Sequence, residues 1–149
     1  MKKSTLLLIC FMFILFTASG CNAVSDGEVD KRNIRLRIDG VLMSVAWENN
    51  DSVREIKKFL FDKDLIIKTS RYSDFEQVGN MGHSFKTNNK NIKTYPGDIV
   101  LYNGNQIVIF YGSNSWSYTK LGRLSSKTQS ELKNLLDKSN LTLRFSLSD

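Results

Sequence analysis

The side chains able to do chemistry in this sequence cluster in two segments. Arg71, Tyr72, Phe75, Glu76, Gln77, Asn80 and His83 form the first, and Tyr111, Trp116 and Tyr118 the second. Together they offer aromatic faces, a guanidinium, a carboxylate and amides, the residue types that line shallow recognition grooves. Nucleophilic and metal chemistry have less to work with. The two cysteines, Cys10 and Cys21, lie near the N-terminus and leave the body of the chain without a thiol. A single histidine cannot build a paired-histidine metal motif, and no serine sits in a nucleophile-elbow pattern. No metal and no cofactor is therefore expected. The same residues also admit a plainer reading. Arg71 can be a surface ion-pair partner, Phe75 a core residue, His83 a surface residue, and Tyr111 and Tyr118 filling for a barrel.

The N-terminus says where such a site would operate. Lys2 and Lys3 precede an unbroken apolar run, Leu6 to Phe16, and the small residues Thr17, Ala18, Ser19 and Gly20 follow. Charge, apolar core and small-residue exit, in that order, read as an export signal over residues 1–20. The run is much shorter than the roughly 20 residues a membrane-spanning helix needs. Ala18-Ser19-Gly20-Cys21 resembles the lipobox of bacterial lipoproteins. That resemblance implies cleavage before Cys21, a lipid on its side chain, and a membrane partner outside the cytoplasm. Residues 21–32 are polar with little hydrophobic pattern and read as a flexible tether. The expected domain spans 33–149, long enough for one core.

Losing Lys2 and Lys3 lowers the formal charge from +6 to +4. The basic residues are scattered and the chain is expected to be exported, so a nucleic-acid partner is not expected. Attraction to an anionic membrane surface suits the modest excess better.

The elements that must position the candidate residues follow from periodicity. Ile34, Leu36 and Ile38 alternate with Arg35 and Arg37, the pattern of a half-buried strand. Asp39-Gly40 then predicts a hairpin that sets Val41, Met43, Val45 and Trp47 on the same face. A helix follows, with Ser52 and Glu55 spaced as a capping box and Asn50 and Asp51 as rival caps. Val53, Ile56, Phe59 and Leu60 form its apolar stripe. Leu65-Ile66-Ile67 predicts a short strand, and residues 71–96 read as a long polar loop, tacked down by Phe75, Val78 and Phe85. Strands are expected at 99–102 and 107–111, joined through Asn103-Gly104-Asn105. Both are apolar on both faces, as in a barrel whose outside is covered by helices. A polar loop at 112–117 carries Trp116, and 118–124 is a strand candidate. Thr128 and Glu131 predict a second capping box, for a helix burying Leu132, Leu135 and Leu136. Alternating Leu141, Leu143, Phe145 and Leu147 predict a closing strand.

Six or more strands with two helices make a mainly β chain and a closed barrel. At this point four stretches carry a family resemblance: Arg71-Tyr72-Ser73-Asp74-Phe75-Glu76-Gln77-Val78-Gly79, Pro96-Gly97-Asp98-Ile99-Val100-Leu101-Tyr102, Gln106-Ile107-Val108-Ile109-Phe110-Tyr111-Gly112 and Tyr118-Thr119-Lys120-Leu121-Gly122-Arg123. From residue 42 to residue 147 the chain resembles the cyclophilin-like fold domains of small bacterial proteins, some of them lipoproteins. The resemblance implies a cyclophilin-type β-barrel with two helices. For activity it implies either prolyl isomerisation or a binding role. In active cyclophilins an arginine polarises the prolyl nitrogen beside a phenylalanine and a glutamine, and Arg71, Phe75 and Gln77 are the comparable trio here. Their spacing is shorter than the active pattern. As a binding module for a peptide, a glycan or a protein, the domain would rely on Tyr72, Glu76, Asn80, His83 and Trp116. Convergence of Arg71 and Phe75 on one open pocket would favour the isomerase; an aromatic surface remote from Arg71 would favour binding.

Overall fold

The computed structural model describes Gly27 and residues 31–148. The expected signal segment 1–20, the lipidation site Cys21 and most of the tether lie outside the described residues.

Strand β1 (Ile34–Ile38) alternates buried and exposed residues as its period requires. Asp39 and Gly40 both take positive φ, 48° and 83°, which is the geometry of a tight hairpin turn matched to strand twist. β2 (Val41–Met43) returns in the expected register, Ile38 opposite Val41 and Leu36 opposite Met43. After Ser44 comes β3 (Val45–Trp47). Helix α1 (Asp51–Asp62) is capped by Asn50, whose side chain accepts from the Val53 amide at 3.0 Å. The expected cap Ser52 is instead buried on the helix's inner side, where its hydroxyl donates to the Lys86 carbonyl. Glu55 accepts from the Lys86 amide, so the helix start is tied to a distant loop as well as capped by Asn50.

The region read as one long loop contains three pieces of sheet. β4 (Leu65–Tyr72) runs five residues past its expected end, and β5 (Glu76–Asn80) and β6 (Lys90–Lys93) follow. Their polarity hid them. Thr69, Glu76 and Gln77 are buried polar residues, and β6 contains only one apolar residue, Ile92. β7 (Asp98–Tyr102) and β8 (Gln106–Phe110) form the second hairpin, with positive φ at Asn103 and Gly104. β9 (Ser115–Leu124) begins three residues before the expected strand, so Trp116 stands on a strand and not in a loop. Helix α2 (Gln129–Leu136) has its capping box between Thr128 and Glu131, and β10 (Asn140–Leu147) closes the chain.

The sheet runs β2-β1-β10-β4-β5-β8-β7-β9-β3, with every pairing antiparallel and β6 attached to β9. Its two end strands, β2 and β3, are separated in the chain only by Ser44. The chain therefore bridges its own seam, and the sheet is a nearly closed barrel with no long free edge. The interior holds Leu36, Ile38, Ile67, Ile99, Leu101, Ile107, Ile109, Leu121, Leu143 and Phe145. Val53, Ile56 and Leu60 of α1 and Leu132 and Leu136 of α2 join that same core. The helices thus serve the inside of the barrel. The outer faces of β7 and β8 were expected to lie under helices; a second apolar cluster covers them instead, Val100, Val108, Phe110 and Tyr118 packed with Phe75, Val78, Ile92 and Tyr102.

Candidate functional site

Strand alternation decides which candidate residues can meet. Side chains directly opposite each other on paired strands share a face, and neighbours along a strand point to opposite faces. Tyr72 pairs with Glu76 and Arg71 with Gln77. Tyr72 and Glu76 therefore face one way and Arg71 and Gln77 the other. Glu76 lies opposite Phe110, Val78 opposite Val108, and Val108 in turn opposite Val100, which places all of them on the barrel's outer wall.

On that wall the structure forms a pocket of about 300 Å³. Val78 and Val108 supply its apolar lining, Gln106 and Asn114 contribute amides, and the rings of Tyr72, Tyr102, Trp116 and Tyr118 stand around it. Tyr72 and Trp116 are largely exposed, at 63% and 59%. Tyr118 is buried and held edge-on to Tyr102 at 5.8 Å and to Phe110 at 5.7 Å between centroids. Its hydroxyl accepts from the Asn114 side-chain amide at 3.0 Å. The pocket thus has two fixed rings and two outer ones.

Glu76 is the anomaly. It lines the pocket yet is only 6% exposed, and its Oε2 has no hydrogen-bond partner among the described residues. Buried carboxylates are ordinarily paired or hydrogen-bonded. Burial pushes its pKa from the usual 4.5 up to about 7. The Tyr118 hydroxyl is pushed up as well, first by its own burial and then by the charge on Glu76.

The other candidates go elsewhere. Gln77 is fully buried inside the barrel, where its amide donates to the carbonyls of Leu136 and Lys138 and accepts from the Thr69 hydroxyl. Arg71 forms an exposed ion pair with Asp137 at 3.0 Å, which raises its own pKa, Asp137's hydrogen bond first and its charge second. Phe75 stacks on Phe110 at 6.5 Å in the outer cluster. Neither Arg71 nor Phe75 lines the outer-wall pocket. Asn80 is exposed and accepts from the Gly82 amide, closing a turn. His83 lies against Phe59 and Phe85, at 4.7 and 4.8 Å between ring centroids, in a cluster on α1. Of the residues singled out in the sequence, Tyr72, Glu76, Trp116 and Tyr118 come together. Val78, Tyr102, Gln106, Val108 and Asn114 were not foreseen as pocket residues. The usable signal was Tyr102 with Val100 and Val108, apolar or aromatic on the pleat opposite the core-facing positions.

Among the described residues no group of three or more His, Cys, Asp or Glu could hold a metal ion. None of their helices is long and apolar enough to cross a membrane.

Comparison with curated proteins gives no match. Among solved structures, the chain is similar to the solution structure of a hypothetical protein from Archaeoglobus fulgidus, with a TM-score of 0.55 and 16% identity over 77% of this chain and 92% of that one. At that identity the likeness speaks for the fold alone. The family model described as the Cyclophilin-like family matches residues 36–146, nearly the whole barrel from β1 to β10. With the nearly closed antiparallel barrel and its two helices, that match places the chain in the Cyclophilin-like family.

Proposed function

We propose that this protein is an exported, lipid-anchored binding module whose outer-wall pocket captures part of a peptide, a glycan or another protein of the cell envelope. One observation carries the binding role: exposed and fixed aromatic rings surround a cavity lined by Glu76, whose buried Oε2 has no hydrogen-bond partner among the described residues. Aromatic residues supply large contact area at low entropic cost, and a few polar groups fix orientation. Prolyl isomerisation is less well supported. Arg71 faces away from Tyr72 and Glu76 and holds Asp137, and Gln77 is committed to the interior. Tryptophan fluorescence is the direct test, because Trp116 lines the pocket. Some member of a panel of peptides and oligosaccharides is expected to give a saturable change that Tyr72→Ala, which keeps the reporting tryptophan, weakens. Silence across the panel, together with proline-peptide isomerisation that is accelerated by the protein and lost in Arg71→Ala, would replace the binding role with catalysis.

The anchor rests on the N-terminal sequence. In the producing cell, the wild-type protein is expected in the membrane fraction and the Cys21→Ser variant outside it, since a lipid contributes about 0.8 kcal/mol per buried methylene. Retention of Cys21→Ser in the membrane would overturn the lipid on that residue.

A further inference from the structure

If the outer-wall pocket is a binding site, as proposed above, its lining also defines the charge of what it binds. We propose that the pocket receives an alkylammonium group, seated among the rings of Tyr72, Tyr102, Trp116 and Tyr118 with the Glu76 carboxylate as its counter-ion.

Three features of the lining lead there. Among the described residues, Glu76 is its only carboxylate, and no lysine, arginine or histidine lines the pocket. In a chain of net charge +6, basic residues are plentiful, so an acid left without a cation is not for want of supply. The Glu76 Oε2 is also buried and partnerless, and a buried acceptor of that kind calls for a donor brought from outside. Finally, four aromatic side chains border the same space, and the negative face of an aromatic ring attracts a cation lying over it. An anionic group would meet both the carboxylate and the ring faces with the wrong sign. A neutral sugar could stack on the rings but would leave the carboxylate without a counter-charge. A bare calcium or magnesium ion wants six or more oxygens, and one carboxylate with two amides falls short. The pocket volume of about 300 Å³ accommodates an organic head group.

The carboxyl group also makes binding pH-dependent. At the raised pKa of Glu76, about 7, the counter-ion forms as pH rises from 6 to 8. The other titratable groups facing it are Tyr72 from β4, Tyr102 from β7 and Tyr118 from β9. Of these, the Tyr118 hydroxyl is pushed up, by its own burial first and by the charge on Glu76 second, away from the range in which Glu76 titrates. A ligand of fixed charge adds no titration of its own to that of Glu76.

The test uses the full-length protein in non-ionic detergent and Trp116 fluorescence. Choline supplies a fixed cation, 3,3-dimethylbutan-1-ol its uncharged carbon counterpart, and n-butylamine a primary ammonium. At pH 8 choline or butylamine is expected to bind at least about tenfold more tightly than the alcohol. For choline the advantage should shrink several-fold at pH 6, and in Glu76→Gln it should be small and no longer depend on pH, leaving only what the rings contribute. Trp116→Ala, followed by calorimetry, removes a ring without touching the carboxylate and should weaken choline more than the alcohol. The stronger of the two cations distinguishes a quaternary head group from a primary amine such as a lysine side chain. Equal binding of choline, butylamine and the alcohol to the wild type would overturn the ammonium assignment. Binding of a neutral sugar or peptide with no response to either cation would overturn it too, while leaving the binding module intact. Silence toward the cations, the alcohol and the wider panel would sink both.

Discussion

Glu76→Gln is expected to stabilise the protein at pH 8 by about 3 kcal/mol relative to its effect at pH 4, on the order of 10 °C in Tm. The carboxyl group sits at about pKa 7 in the folded chain against 4.5 in its ordinary state, because burial penalises the charged form. The sign follows from proton counting. Between pH 4.5 and 7 the native state holds a proton on Glu76 that the unfolded chain has released, so stability falls as pH rises through that window. Below 4.5 both states are protonated and the penalty is absent. Above 7 both are ionised and it is complete. Glutamine has nearly the same shape and cannot ionise, so the difference between variant and wild type isolates this one group from every other titration. Urea unfolding of both proteins at pH 4, 6 and 8 reads it directly. A difference that does not change with pH would mean that Glu76 is solvated or paired in the folded protein. The prediction also connects stability to the pocket. A group held at such a cost is the kind that functional sites retain, and a bound ammonium should remove much of the penalty. Choline at pH 8 should therefore raise the wild-type Tm and leave that of Glu76→Gln nearly unchanged.

How much of this could be read from the chain depended on whether local chemistry and tertiary demand agreed. They agreed for β1 and β2, where alternating Ile34, Leu36 and Ile38 and the Asp39-Gly40 turn independently fixed one register. They agreed for α2, whose Thr128 and Glu131 capping box is purely local, and for β10 with its unbroken alternation. They disagreed from Arg71 onward. β5 buries Glu76 and Gln77 on opposite faces, so hydropathy marks neither face as inside. Only the pairing partners β4 and β8, distant in sequence, make it a strand. The site was legible in the same uneven way. Residue type drew attention to Tyr72, Glu76 and Trp116, but without the strand there was no alternation to separate Tyr72 and Glu76 from Arg71 and Gln77. β7 and β8 raised the opposite difficulty. Their two apolar faces suggested an outer layer of helices, when the outer face was the wall of the pocket.

Gln77 shows most sharply what that separation means, and Gln77→Leu is expected to cost about 2 kcal/mol of stability. The helix α2 ends at Leu136 and leaves carbonyls that no later residue of the helix can satisfy. Gln77 caps them from another strand. Its Nε2 donates to the Leu136 carbonyl at 2.8 Å and to the Lys138 carbonyl at 2.6 Å, and its Oε1 accepts from the Thr69 hydroxyl at 2.8 Å. Leucine fills the space but strands the Lys138 carbonyl, at roughly 1–3 kcal/mol for an unsatisfied buried group, while the Leu136 carbonyl keeps the Lys138 backbone amide at 2.8 Å. The hydroxyl is better placed, because the Leu141 carbonyl lies 3.4 Å away and can accept from it. Arg71 secures the same turn by donating its backbone amide to Ser139 and its guanidinium to Asp137. Gln77→Glu should be worse than leucine, since it sets a carboxyl group against two carbonyl oxygens and must either bury a charge or keep a proton. Below the unfolding transition, however, ligand affinity at the outer wall should be unchanged in Gln77→Leu, because the side chain lies on the other face of β5. A variant of wild-type stability that had lost binding or isomerisation would move Gln77 from the frame into the site. Unfolding shifted to lower urea with affinity preserved would fix it as the clamp that holds the end of α2 to the barrel.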